Sequence, residues 1–164
     1  MTNADRCELC GNPVDLHDRH VRFAHPDPVL DAGEIPASAV WMTHPDANTS
    51  VMMQVNDIGA FVRALLPVHL TAGHTITYGV WVGVHPEELR RIFDTWWSPE
   101  YQGLVVDGRL ANRIAPWGLL GAPIRLRVLD PDQTPYCVDS VDARLQSVLT
   151  EEWDHGLVLS TVPV

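Results

Sequence analysis

Tyr78-Gly-Val-Trp-Val-Gly-Val84, followed by His85-Pro86 and then by Leu89, Ile92, Phe93, Trp96 and Trp97, is the stretch on which the fold turns. Its first seven residues suit a strand, with Tyr78, Val80, Val82 and Val84 on one face and Trp81 on the other. His85-Pro86 stops the strand, and proline suits the first turn of a helix, where its missing N–H removes no bond. The apolar residues that follow recur at helical spacing, while Glu87, Glu88, Arg90, Arg91 and Asp94 fill the other side. The spacing predicts a helix that lays a wide aromatic stripe on a sheet. The segment reads as a folding nucleus rather than an active site.

Upstream, Ala24 to Asn48 reads as loop and edge strand around Ala39-Val-Trp-Met42, and Ser50 to Val55 as a strand. Asn56 or Asp57 is placed to cap a short helix with Ile58, Phe61, Val62 and Leu65 on its buried face and Pro67 at its end. Val68 to Leu70 would begin the next strand, and Thr71 to His74 a turn into the central one. Downstream, Leu104 to Gly108 is a short strand and Arg109 to Gly118 a proline-containing loop. Ile124 to Leu129 alternates apolar and arginine residues, and Asp130 to Pro135 returns it as a hairpin to Tyr136 to Asp139. A last helix is expected to start between Asp139 and Asp142 and to run to about Trp153, with Val141, Leu145, Val148, Leu149 and Trp153 inward and Gly156 closing it. Leu157 to Val162 would finish as a strand. The expected class is α+β: a mainly antiparallel sheet with about three helices packed on it and an N-terminal Cys/His knuckle.

At 164 residues and 46% apolar content, the chain fits one domain with its own core, over residues 1–164. No apolar run approaches the length that spans a bilayer, and Met-Thr-Asn-Ala-Asp-Arg at the start lacks the apolar core of a secretory signal. A cytoplasmic location is therefore expected. The eleven basic residues are all arginine, against twenty-one acids, for a net charge of −10. Repulsion of this kind argues against nucleic acid or an anionic membrane as partner.

Chemistry is signalled at the N-terminus, where Cys7-Glu-Leu-Cys10-Gly11 is followed by His17, His20 and His25. Two cysteines two residues apart before a glycine can aim both thiolates at one cation, and thiolate with imidazole ligands suits zinc. Residues 5–26 are thus expected to form a structural zinc knuckle with Cys7, Cys10, His17 and His20 as ligands and His25 or Cys137 as alternates. A redox pair would want the first cysteine at a helix N-terminus, which Gly11-Asn12-Pro13 breaks. Inert, unligated cysteines are the remaining reading. In its predicted strand, Cys137 is most simply a small core residue.

Phe61-Val-Arg63, Tyr78-Gly-Val-Trp-Val82, Gly108-Arg-Leu-Ala-Asn112 and the loop ending at Trp117, together with Cys7-x-x-Cys10-Gly11, resemble the ordered landmarks of the bacterial "domain of unknown function 2199" family. Two departures stand out: Ala64 where a glycine is expected after Phe-Val-Arg, and an Ala24 to Ala47 region without counterpart. The resemblance implies that Cys7 and Cys10 are meaningful and implies no catalytic role for any residue.

Neither G-x-S-x-G, H-E-x-x-H nor a phosphate-cradling glycine loop is present. Glu87-Glu88 and Glu151-Glu152 are neighbours on helices, about 100° apart, and read as solvated faces. His69, His74 and His85 flank the central strand; convergence of two histidines with an acid such as Asp154 would make a base or a second metal site. Trp81, Trp96 and Trp97 are assigned to the core, whereas an exposed patch of Trp41, Trp117 and Trp153 beside an acidic rim would mark a protein partner. The function expected is a non-catalytic zinc-binding protein that binds a protein partner. A small hydrolase-type enzyme with an open zinc site, and an acidic immunity or antitoxin-type protein, are the alternatives.

Overall fold

The run Ala60-Phe-Val-Arg-Ala-Leu-Leu-Pro-Val-His-Leu70 is apolar on both of its faces and forms the longest strand of the protein, in a computed structural model that describes residues 20–162. Strand β4 (Gly59–Leu70) pairs antiparallel with β5 (Thr75–Val84), from Ala60 opposite Val84 to His69 opposite Thr75. This corrects the helix expected over Ile58 to Leu65. An unbroken apolar run suits a strand covered on both faces as well as a buried helix, and periodicity alone does not separate them. Asn56 and Asp57 make a turn instead of a cap. The Ile58 N–H donates to Val55 O at 3.1 Å, with Asp57 at φ 65°, and joins β3 (Met52–Val55) to β4 as a hairpin. Pro67 fits inside β4 because its missing donor lies on the outer edge. The Leu65 N–H leaves the hairpin on that side toward Pro135 O, and Pro67 sits between the positions where two short strands join β4.

The free edge of β5 is shared by β1 (His20–Arg22), which is parallel to it, and by β6 (Val105–Leu110), which is antiparallel. Strands β6, β7 (Pro123–Arg127) and β8 (Tyr136–Asp139) form a meander that returns to β4 where Tyr136 meets Leu65. Strands β4 to β8 thus close on themselves as a barrel, with β3 and the edge strand β2 (Val40–Met42) extending from one end of β4. Strand β9 (Glu152–Trp153) pairs with the other end. Gly108 is demanded by this closure: an added Cβ would lie 2.5 Å from Gly83 O and 2.7 Å from Val82 Cγ1. The main core, with Val62, Leu66, Tyr78, Val80, Val82 and Leu126, lies on one face of the β4–β5 hairpin. A second core of Phe61, Trp81, Met53, Val55, Val29 and Ala111 lies on the other.

Four α-helices are present among the described residues: α1 (Asp27–Asp31), α2 (Pro86–Thr95), α3 (Ala143–Thr150) and α4 (His155–Leu159). Helix α2 follows β5 as the sequence predicts, with His85 Nδ1 accepting from the Glu87 N–H and Pro86 in the first turn. Its stripe is narrower than expected. Leu89 and Ile92 are buried and Trp96 is half-buried, but Phe93 is 52% and Trp97 89% exposed. The last helix is also shorter than predicted: Asp142 caps it through bonds from Arg144 N and Leu145 N, and Val141 stays outside at 90% exposure. Gly156 lies within α4 instead of closing α3, and Leu157 to Leu159 is helical instead of extended. Asp154 decides this, since its carboxylate accepts from the Leu157 N–H at 2.8 Å and starts a new turn. The class is α+β, mostly strand, with more helices than expected; of the Cys/His knuckle expected over residues 5–26, residues 5–19 lie outside the described residues. Among the described residues no helix is long and apolar enough to cross a membrane.

Candidate functional site

Two side chains on neighbouring strands, Arg63 of β4 and Trp81 of β5, and a third just past the end of β6, Asn112, converge on the main chain that leads out of β1. Arg63 is 1% exposed and donates from Nη1 to Phe23 O at 2.8 Å and Gly79 O at 3.3 Å, from Nε to Ser50 O at 3.0 Å, and from Nη2 to Ala47 O at 2.8 Å. Its guanidinium carbon stands 4.2 Å from the centre of the Trp81 ring. Burial, followed by the nearby Arg22 charge, pushes its pKa down to about 9, so the group is still cationic at neutral pH and is solvated by carbonyl dipoles. Trp81 Nε1 donates to Phe23 O and Ala24 O at 3.2 and 3.3 Å. Asn112, fully buried, accepts from the Trp81 N–H at 2.7 Å and donates to His25 O at 2.9 Å. The Asp27 N–H reaches Ala111 O at 2.7 Å, and the Asp27 carboxylate accepts from the Arg113 N–H. Each of the Phe-Val-Arg, Gly-Val-Trp-Val and Arg-Leu-Ala-Asn landmarks therefore supplies a residue that grips the main chain of residues 23–27, at the C-terminal end of the Cys/His segment. Beside this grip the Tyr78 ring stacks on Phe23 at 6.4 Å, with a buried hydroxyl that bonds to no described residue and a pKa that burial pushes up to about 12.

Of the residues predicted to hold a metal, Cys7, Cys10 and His17 lie outside the described residues. His20 opens β1, exposed and opposite Thr77. His25 is half-buried, its carbonyl held by Asn112, and it lines an apolar concavity with Val29, Met42 and Met53. Cys137 is a small core residue of β8, 4% exposed, and burial pushes its thiol pKa up. Among the described residues no three or more His, Cys, Asp or Glu side chains group to hold a metal ion.

The side chains of His44 and His85 serve the local backbone. Nδ1 of His44 accepts from the Asp46 N–H, as Nδ1 of His85 does from that of Glu87. His74 and His155 do come together, with ring centres 5.5 Å apart. The Thr71 hydroxyl oxygen takes the His155 N–H at 3.0 Å and lies 2.6 Å from His155 Nδ1, which makes it a cap for α4. Trp117 and Trp153 pack edge to face at 5.2 Å against the main core.

The aromatic side chains that face solvent lie elsewhere. Trp41 on the edge strand β2 meets Phe93 of α2 edge to face at 5.6 Å, and Trp97 projects just beyond the helix. Phe93 forms a ridge between two concavities. One, of about 510 Å³, is lined by Trp41, Glu87, Arg90 and Asp94; the other, of about 590 Å³, by His44, Trp96, Trp97 and Asp132. The sequence pattern counts Phe93 and Trp97 as core because each directly follows a buried or half-buried residue, Ile92 or Trp96. One helical residue is a rotation of about 100°, which carries Phe93 away from the sheet, while Trp97 lies beyond the end of α2.

Neither curated proteins nor solved structures give a match to this chain. One family does match, over residues 6–156, and is described as an uncharacterized protein conserved in bacteria. That span includes Cys7, Cys10 and every landmark that builds the grip on residues 23–27, and the chain belongs to this bacterial family, domain of unknown function 2199.

Proposed function

We propose that the protein works by binding a protein partner rather than by catalysis, and that its N-terminal segment carries a structural zinc held by Cys7, Cys10, His17 and His20. The observation that carries the partner reading is the exposed aromatic face of Trp41, Phe93 and Trp97. Large aromatic residues left at 42%, 52% and 89% exposure gain little for the free chain's stability and supply the rigid anchors that dominate protein interfaces. The zinc reading is supported by donor chemistry, two thiolates and two imidazoles, and by the investment of Arg63, Trp81 and Asn112 in fixing the chain immediately after those donors. A closed site of this kind would contribute to folding and leave no position for substrate.

Zinc is tested by elemental analysis of the purified full chain beside a Cys7→Ser, Cys10→Ser variant. Stoichiometric zinc in the first and little in the second is expected; equal content in both would overturn the site. The partner reading is tested by capture from the same lysate with wild type, with Phe93→Ser, Trp97→Ala, and with Val141→Ser as an exposed control. A species lost from the double variant alone is expected. Identical captures from all three would overturn it.

A further inference from the structure

Resting on the partner reading above, we infer that the face around Phe93 takes a cationic segment of its partner, one in which arginine or lysine side chains alternate with bulky apolar ones. Its ionisable rim is mostly anionic. Glu87 and Asp94 border the first concavity against the single guanidinium of Arg90, and Asp132 borders the second. Arg91, the next cation along the helix, is already paired with Glu88 at 2.7 Å and adds no free positive charge. On a chain of net charge −10, an approaching anionic surface is repelled and a cationic one is drawn in. The same charge argues against a second copy as occupant, since a two-fold contact would press together two copies of one patch in which Glu87, Asp94 and Asp132 outnumber Arg90.

The aromatic rings point the same way. The π face of an exposed tryptophan or phenylalanine attracts a guanidinium or ammonium group, most strongly when the contact is desolvated. This protein uses that interaction internally, with Arg63 over Trp81, yet among the described residues no cation lies over Trp41, Phe93 or Trp97. The ridge between two concavities suits a short segment that crosses it. Apolar side chains settle on either side of Phe93 while the cationic ones reach the carboxylates and the Trp97 ring.

The test uses the full chain and three fluorescein-labelled peptides of equal length, built from alternating arginine and leucine, serine and leucine, or arginine and serine. Fluorescence anisotropy at low and high salt gives the affinities. Arginine–leucine is expected to bind at least about tenfold more tightly than either of the others, equivalent to ~1.4 kcal/mol. It should lose at least about tenfold in the Phe93→Ser, Trp97→Ala variant and about threefold to tenfold in Glu87→Gln, Asp94→Asn, Asp132→Asn, with a smaller salt dependence. Equal binding of the serine–leucine peptide, still abolished by Phe93→Ser, Trp97→Ala, would overturn the cationic preference and leave the partner reading intact. Binding indifferent to Phe93 and Trp97 would overturn both. Self-association of the chain that disappears with Phe93→Ser, Trp97→Ala would give the face to a second copy and overturn the inference.

Discussion

Replacing Arg63 by methionine removes the cation that ties four segments together, and the structure allows its cost to be worked out. Of the four carbonyls it serves, Phe23 O keeps Trp81 Nε1 as donor and Gly79 O keeps the Phe23 N–H. Ser50 O and Ala47 O lose the side-chain donor that reaches them, at about 1 to 3 kcal/mol each where the group stays out of water. Loss of the stacking over Trp81 adds about 1 to 2 kcal/mol. Opposing these, the variant no longer strips water from a guanidinium, a relief of several kcal/mol, and methionine fills part of the space. The expected net loss is about 3 kcal/mol. Urea unfolding measures it, and amide exchange locates it. The Phe23 and Asp27 amides, bonded to Gly79 O and Ala111 O, should exchange faster in Arg63→Met, while the β7–β8 hairpin changes only with global stability. An unchanged urea midpoint with undiminished protection at Phe23 and Asp27 would refute the idea that Arg63 anchors this segment.

Three further outcomes follow from the packing. Gly108→Ala should destabilise by about 1 to 3 kcal/mol or prevent folding, because the new methyl meets a backbone oxygen that cannot turn aside; thermal unfolding beside Gly103→Ala, which meets nothing, checks it. Tyr78→Phe should change stability at neutral pH by no more than about 1 kcal/mol, since the hydroxyl bonds to no described residue. In alkali the two should diverge. With its folded pKa raised to about 12, Tyr78 keeps its proton while the unfolded chain gives it up near ~10, so its contribution is intact below that and lost as pH rises through about 12. Unfolding measured across this range should fall more steeply for wild type than for Tyr78→Phe. Phe93→Ser, Trp97→Ala should fold with a stability cost within about 1 kcal/mol, read from the same unfolding curves, because both rings are more than half exposed.

What was legible in the sequence follows from the range of the interactions involved. The passage from β5 into α2 shows because the period changes from alternation to helical spacing across His85-Pro86, and β7–β8 shows because Arg125 and Arg127 alternate with Ile124 and Leu126. Residues 59–67 do not show, because a strand buried on both faces carries no alternation, and Leu157 to Leu159 do not because a five-residue helix is too short for a period to emerge. The exposed face was hidden for a different reason: helical spacing identifies Phe93 and Trp97 as apolar, but not how much of the helix the sheet covers. Nor could the grip be read in advance. Arg63 reaches Phe23 across 40 residues and Asn112 reaches His25 across 87, and only the closed barrel brings them together. The landmark residues were visible; their common purpose required the fold.

Partner binding through the aromatic face is tested most directly by placing a photo-cross-linking amino acid at position 97 in the full chain in living cells, with the same group at position 141 for comparison. Trp97 and Val141 are equally open to solvent, at 89% and 90%, but only Trp97 belongs to the face. A discrete adduct from position 97, absent from position 141 and removed by adding Phe93→Ser, is the predicted result. No adduct from position 97, or the same adducts from both positions, would contradict it.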